Sequence, residues 1–232
     1  MVVLTAPFRP VPAFAMMKED RITVVPVVVL LLCTIAVGQF FAPFKQPVIA
    51  AAVRERTGMA TGLPTSDLGP LISVLSVLFQ MLPVLLKCMV IAGWMMSIDL
   101  LVRKRNERFA LYFAAAALAD LVLIVKDLVL IAILYLRGTE NIHTVWDLHP
   151  AMGLDLFIAD RANNAILSTV AENIDLFMVW HIIVLSFGWS AISGLSKRSS
   201  ITAVSVLWLV GIGFQTAMAV LSMGIVRMTG GG

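Results

Sequence analysis

Charged residues make up only 13% of this 232-residue chain, against about 25% in soluble globular domains. That scarcity excludes an ordinary water-soluble fold, and the 60% hydrophobic share with a mean hydropathy of +0.97 points the same way. Cysteine is scarce too. Cys33 and Cys88 both fall inside apolar runs rather than loops, which argues against a disulfide framework and leaves free buried thiols as the plain reading. No long polar tract or compositional break divides the chain, so its length suits one compact bundle rather than two domains. HExxH, GxSxG, P-loop and CxxC motifs are all missing, as is any Cys-His pair placed for nucleophilic chemistry. The chain therefore reads as a non-enzyme that implies no cofactor. The net charge of +3 is no nucleic-acid footprint, because the basic residues gather in short segments between apolar runs, where they orient helices.

What is present is a set of apolar runs. Taking about 20 predominantly apolar residues per crossing, five spans emerge at about 22–42, 68–99, 109–136, 173–193 and 201–226. The expected fold is all-α: a polytopic membrane bundle of five transmembrane helices filling residues 22–226, with a tail at 227–232. Pro70 falls at the first turn of the second span and Pro83 inside it, which predicts a bend or tilt there. Residues 1–21 form a cytoplasmic segment. In it Phe8, Phe14, Met16 and Met17 with Lys18 and Arg21 read either as a short amphipathic helix on the leaflet or as a plain tail.

Orientation follows from lysine and arginine on alternate sides. With the N-terminus cytoplasmic, Arg9, Lys18, Arg21, Arg103, Lys104, Arg105, Arg108, Lys197 and Arg198 lie inside. Lys45, Arg54, Arg56, Arg137, Arg161 and Arg227 lie outside. The tight basic turns RKRNER and SKRSS carry most of this bias, which puts the C-terminus on the non-cytoplasmic side.

Four ionisable residues break the apolar spans: Lys87, Asp120, Lys126 and Asp127. Charge in hydrocarbon is costly and needs a reason. Lys87 lies about 13 residues from the cytoplasmic face and Asp120 about 12, or roughly 20 Å and 18 Å at 1.5 Å per residue. The short turn makes their helices antiparallel neighbours, so the two can form one neutralising pair. Asp127 shares the Asp120 face two turns on, while Lys126 points away and can snorkel outward beside Asp127. Two readings stay open. One is a helix-to-helix fastener with an interfacial Lys126-Asp127 neighbour pair; the other is a polar track for protons or cations. An aspartyl hydrolase is disfavoured, since Asp120 and Asp127 share one helix about 10 Å apart.

Other polar positions are weaker candidates. His181, beside Trp180 in the fourth span, is either a proton relay or an interhelical hydrogen bonder. Ser186, Ser190 and Gly194, four residues apart, form a small-residue stripe for helix packing within the bundle or between protomers. Asn173 and Asp175 suit helix capping, and Gln215 needs an interhelical partner. The outer loop, 137–172, carries a stretch of alternating apolar and acidic residues at 149–160 that suits a short helix lying in the interface or folding back over the bundle. It gathers His143, Asp147, His149, Asp155 and Asp160, a conceivable divalent-metal set that ordinary loop polarity explains better.

The stretch NIDLFMVWHIIVLSFGWSAISGLSKRSSITAVSVLWLV, from Asn173, resembles the last helical hairpin of prokaryotic Yip1-domain membrane proteins. Asn173, Phe177, Trp180, Gly188, Ser193, Gly194, Ser196, Lys197, Arg198 and Trp208 carry the likeness. Upstream, His149, Pro150 and Ala151 resemble the family's Asn-Pro-Ala loop entry with His in place of Asn, and Pro12, Phe14, Met17 and Pro26 resemble its entry into the first helix. The acidic N-terminal segment and the Gly-Tyr-rich helix of eukaryotic members are missing, so the resemblance implies no GTPase binding and no catalytic residues. It implies a non-catalytic membrane protein of the bacterial cytoplasmic membrane that organises membrane or partner proteins, with a homo-oligomer as one expected form. The competing expectation is a small transporter, ion conductor or lipid handler using the Lys87, Asp120 and Asp127 track. Membrane lipids and other membrane helices are the expected partners.

Overall fold

A computed structural model describes residues 14, 23–57, 69–103, 107–142, 145–158 and 165–229. The described residues are predominantly helical, with no strand among them beyond an isolated bridge between Gly153 and Asp175. The helices are α1 (Val24–Thr57), α2 (Gly69–Arg103), α3 (Phe109–Arg137), α4 (Ala165–Glu172), α5 (Leu176–Ser193) and α6 (Lys197–Thr229). Three 3-10 turns, Thr139–Asn141, Val145–Leu148 and Leu154–Phe157, precede α4.

The bundle is organised around α3, which packs against α1, α2 and α5, with α6 laid on α5. Its composition explains that position. Ala114, Ala115, Ala116, Ala117 and Ala119 are all fully buried, and a surface of methyl groups lets three neighbours approach closely enough to interdigitate. Trp189 from α5, Met95 from α2 and Leu30 from α1 fill the space around the alanines, along with Tyr112 of α3 itself. A second cluster toward the other end joins Phe41, Phe44 and Val48 of α1 to Leu130, Ile131 and Leu134 of α3.

Among the described residues, four helices are long and apolar enough to cross a membrane: Val24–Gln46, Val77–Val102, Leu176–Ser193 and Lys197–Leu221. Their exposed faces are apolar, as at Leu82, Leu86 and Val90 of α2 and Leu209, Val210 and Phe214 of α6, which is the surface a hydrocarbon solvent requires. The expected span at 109–136 is not among the four. It is instead the central helix α3, 29 residues long and buried through most of its first half.

Several boundaries differ from expectation. The first span was expected to stop at residue 42, but α1 runs on through Pro43 and Pro47 to Thr57. Phe44 and Val48, on either side of Pro47, are buried in the second cluster, and that burial offsets the backbone hydrogen bonds the prolines forfeit. The second span extends to Arg103 as a continuous helix around Pro83. At the last hairpin the basic residues are helical rather than a turn. Ser190 donates from its hydroxyl to Leu195 O at 2.7 Å, Gly194 closes α5 in the left-handed conformation (φ 72°), and Ser196 accepts from Ser199 N at 3.2 Å to open α6.

The outer segment also departs from expectation. The stretch at 149–160 holds only the 3-10 turn Leu154–Phe157 among its described residues; Asp155 points inward and accepts from Gly153 N at 2.9 Å, while Leu156 and Phe157 face out. Leu154 N donates to Ile174 O at 3.1 Å, tying this turn to the chain just before α5. Helix α4, packed on α6, was not anticipated. Phe14, expected among acyl chains or in a tail, is fully buried in the core. The rest of the 1–21 segment lies outside the described residues.

Candidate functional site

Interior polar side chains form three layers spaced along α3. The middle layer centres on Asp120, 2% exposed, at the heart of α3. Lys87 of α2 places its Nζ 2.6 Å from Asp120 Oδ2, as expected from equal depth on an antiparallel pair. His181 of α5 donates from Nε2 to Asp120 Oδ1 at 2.9 Å, and the Cys88 thiol donates to Oδ2 at 3.7 Å. One carboxylate thus joins three helices. Its charge is balanced by one ammonium group, and both oxygens are engaged, which is the condition for a buried ion pair to be tolerated. The Lys87 side chain is 42% exposed, so its stem lies at the bundle surface while its ammonium group turns inward.

The layer nearer the basic end of α2 was missed by the sequence reading. Asp99 is 1% exposed and accepts from Tyr112 Oη at 2.6 Å and from Trp189 Nε1 at 3.1 Å, both on Oδ2. Its other oxygen, Oδ1, is buried without a hydrogen-bond partner among the described residues. In the sequence Asp99 stands at the end of the second span beside the basic turn, where a carboxylate is ordinary. The detectable signal was a pair of hydrogen-bonding aromatics, Tyr112 and Trp189, at matching depth on the two neighbouring helices.

The third layer corrects the expected Lys126-Asp127 pair. Lys126 bonds Asp175 across helices instead. Asp175 serves two roles at once, because its other oxygen caps α5 by accepting from Met178 N at 2.7 Å. Capping was expected of Asn173 as well, but Asn173 donates to Thr169 O at 2.7 Å and to Gln215 Oε1 at 3.0 Å. That supplies the interhelical partner Gln215 required. Asp127 has no cation within ion-pair distance among the described residues; it lines a cavity of about 600 Å³ between α1, α2, α3, the 149–155 segment and Gln215 of α6.

The three residues of the small-residue stripe occupy different settings. Ser186 is buried but donates to Ile182 O of its own helix at 2.6 Å, Ser190 serves the C-terminal turn, and Gly194 lies past the helix end. The close approach on α5 is at Gly188, where an added Cβ would fall 2.6 Å from the Phe14 ring. A second close approach is at Gly38 of α1, across which Gln80 lies, donating to Thr34 O at 2.8 Å.

The conceivable metal set does not assemble among the described residues. No group of three His, Cys, Asp or Glu side chains there could hold an ion. Asp147 lies 3.8 Å from Arg137 and Asp155 binds backbone, while His143 and Asp160 lie outside the described residues.

A helical bundle with four membrane-length apolar helices and its polar groups turned inward is an integral membrane protein. Comparison with protein-family models, curated proteins and solved structures finds no match for this chain.

Proposed function

We propose that this chain is a non-catalytic, Yip1-like membrane scaffold with five crossings. In this reading α3 is the fifth, enclosed by the others, and the protein sits in a bacterial cytoplasmic membrane with its N-terminus inside. At 1.5 Å per residue α3 is about 43 Å long, enough for a hydrocarbon core of about 30 Å. Its burial is what a central helix in a bundle has in place of lipid contact.

The observation that carries the scaffold reading is the saturation of Asp120. A carboxylate that binds and releases protons or cations needs a free oxygen and a path to water, and Asp120 has both oxygens bonded and 2% exposure. Fastening α2, α3 and α5 is the work such a group can do. The test is reconstitution into liposomes with proton, cation and lipid-scrambling readouts, alongside the charge swap Lys87→Asp with Asp120→Lys. The scaffold reading expects no flux from any form and stability in the swap that exceeds either single variant. Flux in the wild type that is lost in a folded Asp120→Asn variant would refute it.

One observation favours the competing reading of a small transporter or lipid handler. Asp127 reaches a cavity large enough for a small molecule, and the same flux assays on Asp127→Asn decide that case.

A further inference from the structure

We propose that the cavity beside Asp127 binds an ammonium group carried on an apolar body. The inference is independent of the scaffold reading, because the cavity and the Asp120 layer share no lining residue.

Three observations converge. The first is volume: about 600 Å³ is within the range of small-molecule sites, roughly 300–1,000 Å³. The second is charge. Among the described lining residues, Lys126 is bonded to Asp175, and Asp127 is a carboxylate on the cavity wall that lacks an ion-pair partner among the described residues. The third is a rehearsal of the contact within the chain. Lys45 Nζ sits 4.5 Å from the centroid of the Phe41 ring, itself on the cavity wall. The wall thus already receives an ammonium on an aromatic face, and Val37, Val84 and Leu130 supply apolar surface beside it.

The cavity lies between the middle of α1, Gln80 and Val84 of α2, the last third of α3, Gln215 of α6 and the residues that open α5, beneath the 149–155 segment. At that level an ammonium on an apolar body can come from the bilayer, as the headgroup of an aminophospholipid, or from solution, as a free organic amine. The chemistry at Asp127 is the same, and the two sources separate by experiment.

The test uses the full chain in two arms. In the first, protein in nanodiscs of phosphatidylglycerol with phosphatidylethanolamine is released into native mass spectrometry and the retained lipid identified. In the second, phenylethylamine is titrated calorimetrically into protein in phosphatidylglycerol nanodiscs, with empty nanodiscs subtracted. Binding is expected in at least one arm, at least tenfold weaker in Asp127→Asn and stronger in Lys45→Ala, which removes the competing internal ammonium. Binding in the first arm alone names the headgroup, and binding in the second alone names the free amine. No binding in either arm, binding unchanged by Asp127→Asn, or preferential retention of phosphatidylglycerol would overturn the proposal. Should Asp127→Asn fail to fold, the comparison of wild type with Lys45→Ala decides: unchanged or weaker binding in Lys45→Ala overturns it.

Discussion

Asp120→Asn is the sharpest perturbation of the bundle, because it keeps the side chain's size and an acceptor while removing its charge. His181 Nε2 can still donate to the amide oxygen, so the 2.9 Å bond to α5 survives in kind. What is lost is the partner of Lys87. Removing one member of a buried pair costs about 3–5 kcal/mol, and the 42% exposure of Lys87 places this case at the lower end, about 3 kcal/mol. The lysine cannot escape by snorkelling, since it lies roughly 15 Å and 22 Å from Val77 and Val102 at the two ends of its apolar stretch, farther than its stem reaches. Lys87→Met combined with Asp120→Asn removes the orphaned ammonium and should recover at least about 1.5 kcal/mol of the loss, a coupling typical of residues in one network. Reversible unfolding in mixed micelles measures both quantities. A loss below about 0.5 kcal/mol for the single variant, a value ordinary for surface changes, or strict additivity in the double variant, would refute the interlock.

Other substitutions follow from particular contacts. Gly188→Ala should cost about 1–3 kcal/mol, since its Cβ would fall 2.6 Å from Phe14; Phe14→Ala in the same chain should remove the additional penalty, read from the same unfolding assay. Gly38→Ala displaces the Gln80 side chain from its bond to Thr34 O, so the loss should be near 1 kcal/mol and should vanish in a Gln80→Ala background. Asp175→Asn keeps the α5 cap while discharging Lys126's partner, whereas Asp175→Ala loses both. Hydrogen exchange at Met178 should therefore quicken in Asp175→Ala far more than in Asp175→Asn. Trp189→Phe leaves Asp99 Oδ2 with Tyr112 alone and should destabilise by about 1–3 kcal/mol, seen as a lower melting temperature.

Residues differed in how much of their role could be read from the chain. Lys87 and Asp120 were legible as a pair because a tight turn fixes two antiparallel helices in register and depth can then be counted. His181 was legible as a polar residue seeking a partner, but choosing Asp120 required knowing that α5 packs on α3, which no local pattern reports. Lys126 misled for a related reason. Its neighbour in sequence, Asp127, points elsewhere on the helix, and its partner lies 49 residues on, across a segment whose path only packing decides. Asp99 escaped notice because it sits at a span end, where carboxylates are common. The extent of α1 was not legible, because Pro43 and Pro47 disfavour a continuing helix and the burial of Phe44 and Val48 that accompanies it is a matter of packing. The central place of α3 was written in its alanines, a composition that marks close packing only once the neighbours are in view.

The bond between Lys87 and Asp120 also bears on how the chain enters a bilayer. Each charge presented alone at mid-membrane opposes insertion by about 2.5–3.5 kcal/mol, yet the two lie on consecutive helices joined by a few residues. Emerging together as a hairpin, α2 and α3 can cancel their charges before α5 and His181 have been synthesised. A nascent chain truncated after Arg137 should then integrate as a pair, and one truncated within the first turns of α3 should leave α2 poorly retained. The same contact that holds the finished bundle would set the order of its assembly.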